Sequence, residues 1–104
     1  MGDEEPSYES ATRDVLLSAA KIIGEKCVNE NLAFAKCKAE NSDPEKCLKL
    51  GLDVLQCNNR VLSKIGSTCP DEFEAFRSCM DKTQMNFAMC RESEKALRDA
   101  YHKA

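Results

Sequence analysis

Thiol–disulfide chemistry is the chemistry for which this chain carries the most groups. Six of its seven cysteines share one spacing, with nine residues between Cys27 and Cys37, between Cys47 and Cys57, and between Cys69 and Cys79. Cys90 is the seventh. Ten residues of helix rise about 15 Å, so two such segments laid antiparallel bring their cysteines into register. Ten also breaks into steps of three, four and three, which returns the second cysteine to the seam used in heptad packing. The pattern predicts helical hairpins closed by two disulfides each, outer cysteine to outer and inner to inner. In the first hairpin these are Cys27–Cys57 and Cys37–Cys47.

In the second hairpin the same rule joins Cys79 to Cys90. Its outer cysteine, Cys69, then needs a partner about one helical length beyond Cys90, and Tyr101 stands there. The expectation is three disulfides and one free thiol, Cys69. Two roles suit that thiol. It is a small buried hydrophobe, or, at a helix N-terminus, a reactive or intermolecular thiol.

Other chemistries have few residues to work with. His102 is the only histidine and lies two residues from the end. There is no Gly-rich phosphate loop and no nucleophile elbow. Zinc ligands favour gaps of two to four residues, whereas the cysteines here stand further apart. No Cys-x2-Cys redox pair or adjacent cysteines occur. The chain is therefore not expected to be an enzyme, and no catalytic, cofactor-binding or metal-binding residue is expected; nor is a cofactor. A formal charge of −3 speaks against a nucleic-acid partner. No apolar run approaches the length of a membrane span. The opening Met1-Gly2-Asp3-Glu4-Glu5-Pro6 is acidic and is not expected to act as a secretory signal, a matrix transit peptide or a myristoylation site.

The elements that position the cysteines follow from composition and periodicity. With 104 residues, four Phe, two Tyr and no Trp, the chain cannot bury a large core and needs a covalent supplement. A bridge closing a loop of about thirty residues supplies roughly 3–4 kcal/mol, and one closing about ten supplies roughly 2.5–3 kcal/mol. Such bridges require an oxidising compartment. The mitochondrial intermembrane space reconciles that need with the lack of a secretory address.

Residues 1 to about 7 are expected to be disordered. A helix over residues 9–23, ended by Gly24, follows from the spacing of Ala11, Val15, Ala19 and Ile22. It either packs on the hairpins or docks on a larger partner. The first hairpin opens near Asn29, carries Phe34 and Cys37 on one face, and turns at Asn41-Ser42-Asp43-Pro44. There Asp43 suits a cap and Pro44 a first helical position. The next helix carries Cys47, Leu50, Val54, Cys57, Val61 and Ile65 on one stripe and is expected to end at Gly66. Cys69-Pro70-Asp71-Glu72 opens a third helix with Phe73, Phe76 and Cys79 inward. A turn within residues 81–86 leads to a fourth helix capped by Asn86, with Cys90, Leu97 and Tyr101 inward. The fold class is all-α: two disulfide-stapled antiparallel hairpins in series after an N-terminal helix. The domain scheme is residues 1–24 as tail and docking helix, 25–66 as the first hairpin, and 67–104 as a second hairpin without its outer disulfide.

This layout resembles the twin Cys-x9-Cys, or coiled-coil-helix–coiled-coil-helix (CHCH), proteins of the intermembrane space. The doubled unit looks more closely like the alpha-subcomplex subunit 8 family of accessory subunits of complex I, mitochondrial NADH:ubiquinone oxidoreductase. The words that carry the likeness are Ile23-Gly24-Glu25-Lys26-Cys27, Asn31-Leu32-Ala33-Phe34-Ala35-Lys36-Cys37-Lys38 and Asp43-Pro44-Glu45-Lys46-Cys47-Leu48. Cys69-Pro70, Ser78-Cys79-Met80 and Phe87-Ala88-Met89-Cys90-Arg91 continue it. The resemblance implies a non-catalytic subunit in the respiratory chain, peripheral on the intermembrane-space face and bracing the membrane arm near its heel beside other membrane-arm subunits. It also implies import through a disulfide-relay oxidoreductase that docks transiently beside one cysteine. Phe34, Phe76 and Phe87 each stand three residues before a cysteine, as such recognition requires, and the same rings suit the core. Tyr101 departs from the family, replacing its last cysteine. A soluble assembly factor or chaperone for a respiratory complex is the alternative.

Overall fold

A computed structural model describes residues 12–104, and every regular element among them is helical. The elements are α1 (Arg13–Ser18), α2 (Ala20–Lys26), α3 (Val28–Glu40), α4 (Leu48–Thr68), α5 (Pro70–Lys82) and α6 (Arg91–Lys103). Short 3-10 turns at Pro44–Cys47 and Phe87–Cys90 lead into α4 and α6. The all-α class expected from the cysteine spacing is what the structure shows. The tail over residues 1–7 and the expected helix start at Glu9 lie outside the described residues.

The chain divides into two compact units. The first contains Lys21–Val61, with α3 folding back along α4. Asp43 caps the turn between them by accepting a 3.0 Å hydrogen bond from the Glu45 amide, and Pro44 takes the first position. Asn41 leaves the helix in an extended conformation while its side-chain amide donates to the Cys37 carbonyl at 3.1 Å. The buried residues of this unit are Ile22, Cys27, Cys47, Cys57 and Val61, and α3 contributes none. Its interior is therefore built largely of sulfur. A Cβ on Gly51 would lie 3.2 Å from the Phe34 ring, so the missing side chain is what lets that ring approach α4.

The second unit contains Thr12–Ala20 and Leu62–Ala104. Here α5 and α6 form the hairpin and α1 packs on α5. Its core is larger and conventionally apolar, with Ile65, Phe76, Met80, Leu97 and Tyr101 buried around Cys69 and Cys90. The Phe76 ring meets that of Phe87 at a centroid distance of 6.3 Å, within the range of a favourable aromatic pair. Asn86 caps the entry to Cys90 as Asp43 does the entry to Cys47, accepting 3.0 Å from the Ala88 amide. Each hairpin thus turns through a short polar cap and one 3-10 turn ending on its inner cysteine. That recurrence is the structural form of the internal repeat.

Three boundaries differ from expectation, each for a local reason. The N-terminal helix is interrupted at Ala19, whose φ of −97° and ψ of 4° separate α1 from α2. Gly24 does not end α2, which continues to Lys26 and stops where Cys27 adopts φ −114° and ψ 25°. Gly66 likewise lies within α4, which runs on to Thr68. Neither glycine takes a positive φ, so the freedom that makes glycine a helix terminator is unused. Pro70 ends α4 instead: its ring disfavours helical geometry at the preceding residue, and Cys69 sits at φ −146°. In the turn after α5, Gln84 and Met85 occupy the left-handed region with φ of 56° and 67°. The Met85 amide closes that turn with a 2.7 Å bond to the Met80 carbonyl.

Candidate functional site: the disulfide frame and the α1–α5 contact

The bonded sulfurs are those the spacing predicts: Cys27–Cys57, Cys37–Cys47 and Cys79–Cys90, with Cα atoms 5.9 Å apart in every case. That separation is the ordinary one for an unforced bridge. Outer Cys27 and Cys57 are buried, whereas inner Cys37 and Cys79 are half-buried near the hairpin turns. The frame ties helix to helix at both ends of the first hairpin and only at the turn end of the second.

Cys69 is free and has no exposed surface. The end of the hairpin that lacks a bridge is filled by Tyr101, only 4% exposed. The Lys64 ammonium lies 4.3 Å from the centre of its ring, and His102 meets it edge-on at 5.7 Å. Burial pushes the phenol above its ordinary range, and the nearby Cys69 adds to that shift. An aromatic plug and a cation–π contact thus stand where a disulfide is expected. We predict that Tyr101→Cys forms a fourth bridge with Cys69. Titration of the denatured, unreduced variant should then find no free thiol, where the parent has one; a count of two means the pair does not meet.

Of the three phenylalanines singled out beside cysteines, Phe76 is wholly buried, while Phe34 and Phe87 are half-buried. All three act as packing groups in the folded chain. Among the described residues, no group of three or more His, Cys, Asp or Glu side chains is disposed to hold a metal ion. No helix among them is long and apolar enough to cross a membrane.

One contact has no sequence signal. Asp14 on α1 accepts a 2.7 Å hydrogen bond from Arg77 Nη2 on α5, sixty-three residues away. Glu74 lies 3.6 Å from Arg77 Nη1. The guanidinium beside Asp14, with help from the Thr12 hydroxyl, holds its carboxyl below the usual carboxylate range. A carboxyl depressed in the folded state stabilises above its unfolded pKa of about 3.9 and loses that contribution as pH falls through the folded value. Acidification below about pH 4 should therefore loosen α1 from α5. Hydrogen exchange at the α1 amides should rise there in the parent, and Asp14→Asn should show raised exchange already at neutral pH.

A chain of short helices stapled in pairs by Cys-x9-Cys cysteines is a protein of the CHCH type. No family model matches it. Two Arabidopsis thaliana proteins, NADH dehydrogenase [ubiquinone] 1 alpha subcomplex subunits 8-A and 8-B, are 41% and 39% identical to it over 86 residues. These alignments cover 83% of this chain and 80% and 81% of those proteins. The NADH-ubiquinone oxidoreductase 20.8 kDa subunit of Neurospora crassa is 35% identical over 84 residues, which is 79% of this chain but 46% of that longer protein. The chain belongs to the family of NADH dehydrogenase [ubiquinone] 1 alpha subcomplex subunit 8.

Proposed function

We propose that this chain is a resident, non-catalytic subunit of mitochondrial respiratory complex I. It lies on the intermembrane-space side of the inner membrane and braces the membrane arm near its heel. Family membership supports the assembly, since the relatives are named as subunits of NADH dehydrogenase [ubiquinone]. The observation that carries the side of the membrane is the disulfide frame. Thiols of the mitochondrial matrix are kept reduced, whereas three bridges in a chain of 104 residues suit a compartment that oxidises them. Attachment is peripheral, through contacts with other membrane-arm subunits. A hairpin tied at both ends resists shear, which suits a brace. Phe34, Phe76 and Phe87, exposed before folding, present the relay oxidoreductase with an apolar helix face.

Tagged protein expressed in its own mitochondria should comigrate with the whole complex on a native gel. It should also become accessible to protease once the outer membrane is opened. Appearance only with partial assemblies would favour an assembly factor. Protection by the inner membrane would move the protein to the matrix.

A further inference from the structure

We infer that one face of the first hairpin, across α3 and α4, receives an amphipathic helix of a neighbouring subunit. The two bridges give this hairpin a local two-fold symmetry in which Cys27 corresponds to Cys47 and Cys37 to Cys57. The axis that exchanges the helices of an antiparallel pair is perpendicular to their plane, so corresponding residues emerge on one side. Val28 and Leu48 stand one residue past corresponding cysteines, and Leu32 and Leu52 stand five past. Within each helix the two residues are one turn apart, and the register set by the bridges puts Leu32 opposite Leu52. The four therefore form one patch. Val28, Leu32, Leu48 and Leu52 are 46%, 64%, 60% and 36% exposed, and among the described residues Met89 is the only other large apolar side chain so open. Exposed Ala35 and Ala39 prolong the strip on α3, and half-buried Leu55 prolongs it on α4. None of these positions carries a charge.

Area and charge decide the partner. α3 buries no residue inside the chain, and the four large side chains together expose the equivalent of about two whole residues. That is an apolar patch of roughly 400 Å², the scale at which a patch on a soluble monomer marks an interaction site. A second copy docked on it would bury about 800 Å² in total, the size of a lattice contact and too little for a stable dimer. A bilayer is a poorer match. The face carries no Trp or Tyr to sit at a headgroup layer, and the net charge of −3 opposes an anionic surface. A helix of a subunit held in the same assembly by further contacts needs no more area than this. The strip from Val28 to Ala39 rises about 16 Å, which matches the anchors of a three-turn helix laid along the hairpin. Lys36, one turn beyond Leu32, is exposed and has no hydrogen-bond or ion-pair partner among the described residues. It suits a carboxylate at the edge of the incoming apolar strip.

This deepens the reading of the chain as a resident subunit and rests on it for the source of the helix. Leu32→Asp and Leu48→Asp are expressed singly as tagged full-length protein in its own mitochondria, with Ala33→Asp, exposed but outside the strip, as the control. Both leucine variants should accumulate and be oxidised like the parent, and the urea midpoints of the isolated chains should match it, because both side chains are open to solvent. Their comigration with the whole complex on a native gel should nevertheless fall at least tenfold, while Ala33→Asp comigrates as the parent does. Leu32→p-benzoylphenylalanine, activated by light in intact mitochondria and mapped by mass spectrometry, should join an apolar residue within a helix of another complex I subunit. Leucine variants that comigrate like the parent, an equal loss with Ala33→Asp, or a lowered midpoint would overturn the assignment. So would cross-linking to a second copy of the chain, to lipid, or to no subunit of the complex. If the parent comigrates and the leucine variants do too, only the helix site falls; if the parent itself does not, the reading of residence falls.

Discussion

Replacing Cys27 and Cys57 together by serine should unfold α3 while leaving the α5–α6 hairpin folded. The outer bridge closes a loop of 30 residues, and its loss removes about 3.6 kcal/mol on loop-closure grounds. The Cys37–Cys47 bridge still ties the C-terminal end of α3 at the turn, but little else is available to hold the rest of the helix. The helix buries no residue, its Phe34 is half-exposed, and the Glu30–Arg60 ion pair at 3.8 Å is exposed on the arginine side. An exposed pair of that kind contributes well under about 1 kcal/mol. Against total stabilities of roughly 5–15 kcal/mol, the bridge decides whether this unit folds. Hydrogen exchange followed residue by residue should show protection lost along α3 and kept along α5. Protection on α3 equal to that of the parent would mean that packing, and not sulfur, holds the first hairpin.

The opposite dependence is expected in the second unit. Phe76→Ala removes the largest fully buried side chain and should cost about 3–5 kcal/mol. The neighbouring ring of Phe87 loses its partner as well. Only Cys79–Cys90 remains as a covalent tie there, and it spans a separation of 11 residues, so it restrains the turn more than the helix ends. Urea denaturation followed by far-UV circular dichroism should show a large fall in midpoint. Phe34→Ala, at a half-buried site in the first unit, should cost less than half as much. Similar shifts in the two variants would contradict the difference in how the units are held.

The cysteine frame was legible because helical rise and heptad spacing translate directly into which sulfurs meet. The turns were legible for a related reason: Asp43 and Asn86 each accept from the amide two residues on, and Pro44 fixes its own φ at the first helical position. Glycine misled, since Gly24 and Gly66 lie in helical conformation while Cys27 and Pro70 mark the breaks. The turn at Gln84 and Met85 uses left-handed backbone at two residues that carry no such signature. The α1–α5 contact was out of reach altogether. Nothing in the residues flanking Asp14 points to Arg77, because their meeting is set by how α1 packs on α5 and not by periodicity within either helix.

The recurrence of a polar cap and one 3-10 turn just before each inner cysteine bears on the order in which the reduced chain matures. Local geometry at residues 43–47 and 86–90 can form before any covalent tie exists, because it depends only on neighbouring amides. It holds Cys47 and Cys90 close to the ends of the helices that carry Cys37 and Cys79. A segment of 10 residues also closes more readily than one of 30, the entropic difference being about 1 kcal/mol. Oxidation should therefore run outward from each bend, with the distal clasp of the first hairpin fastening last.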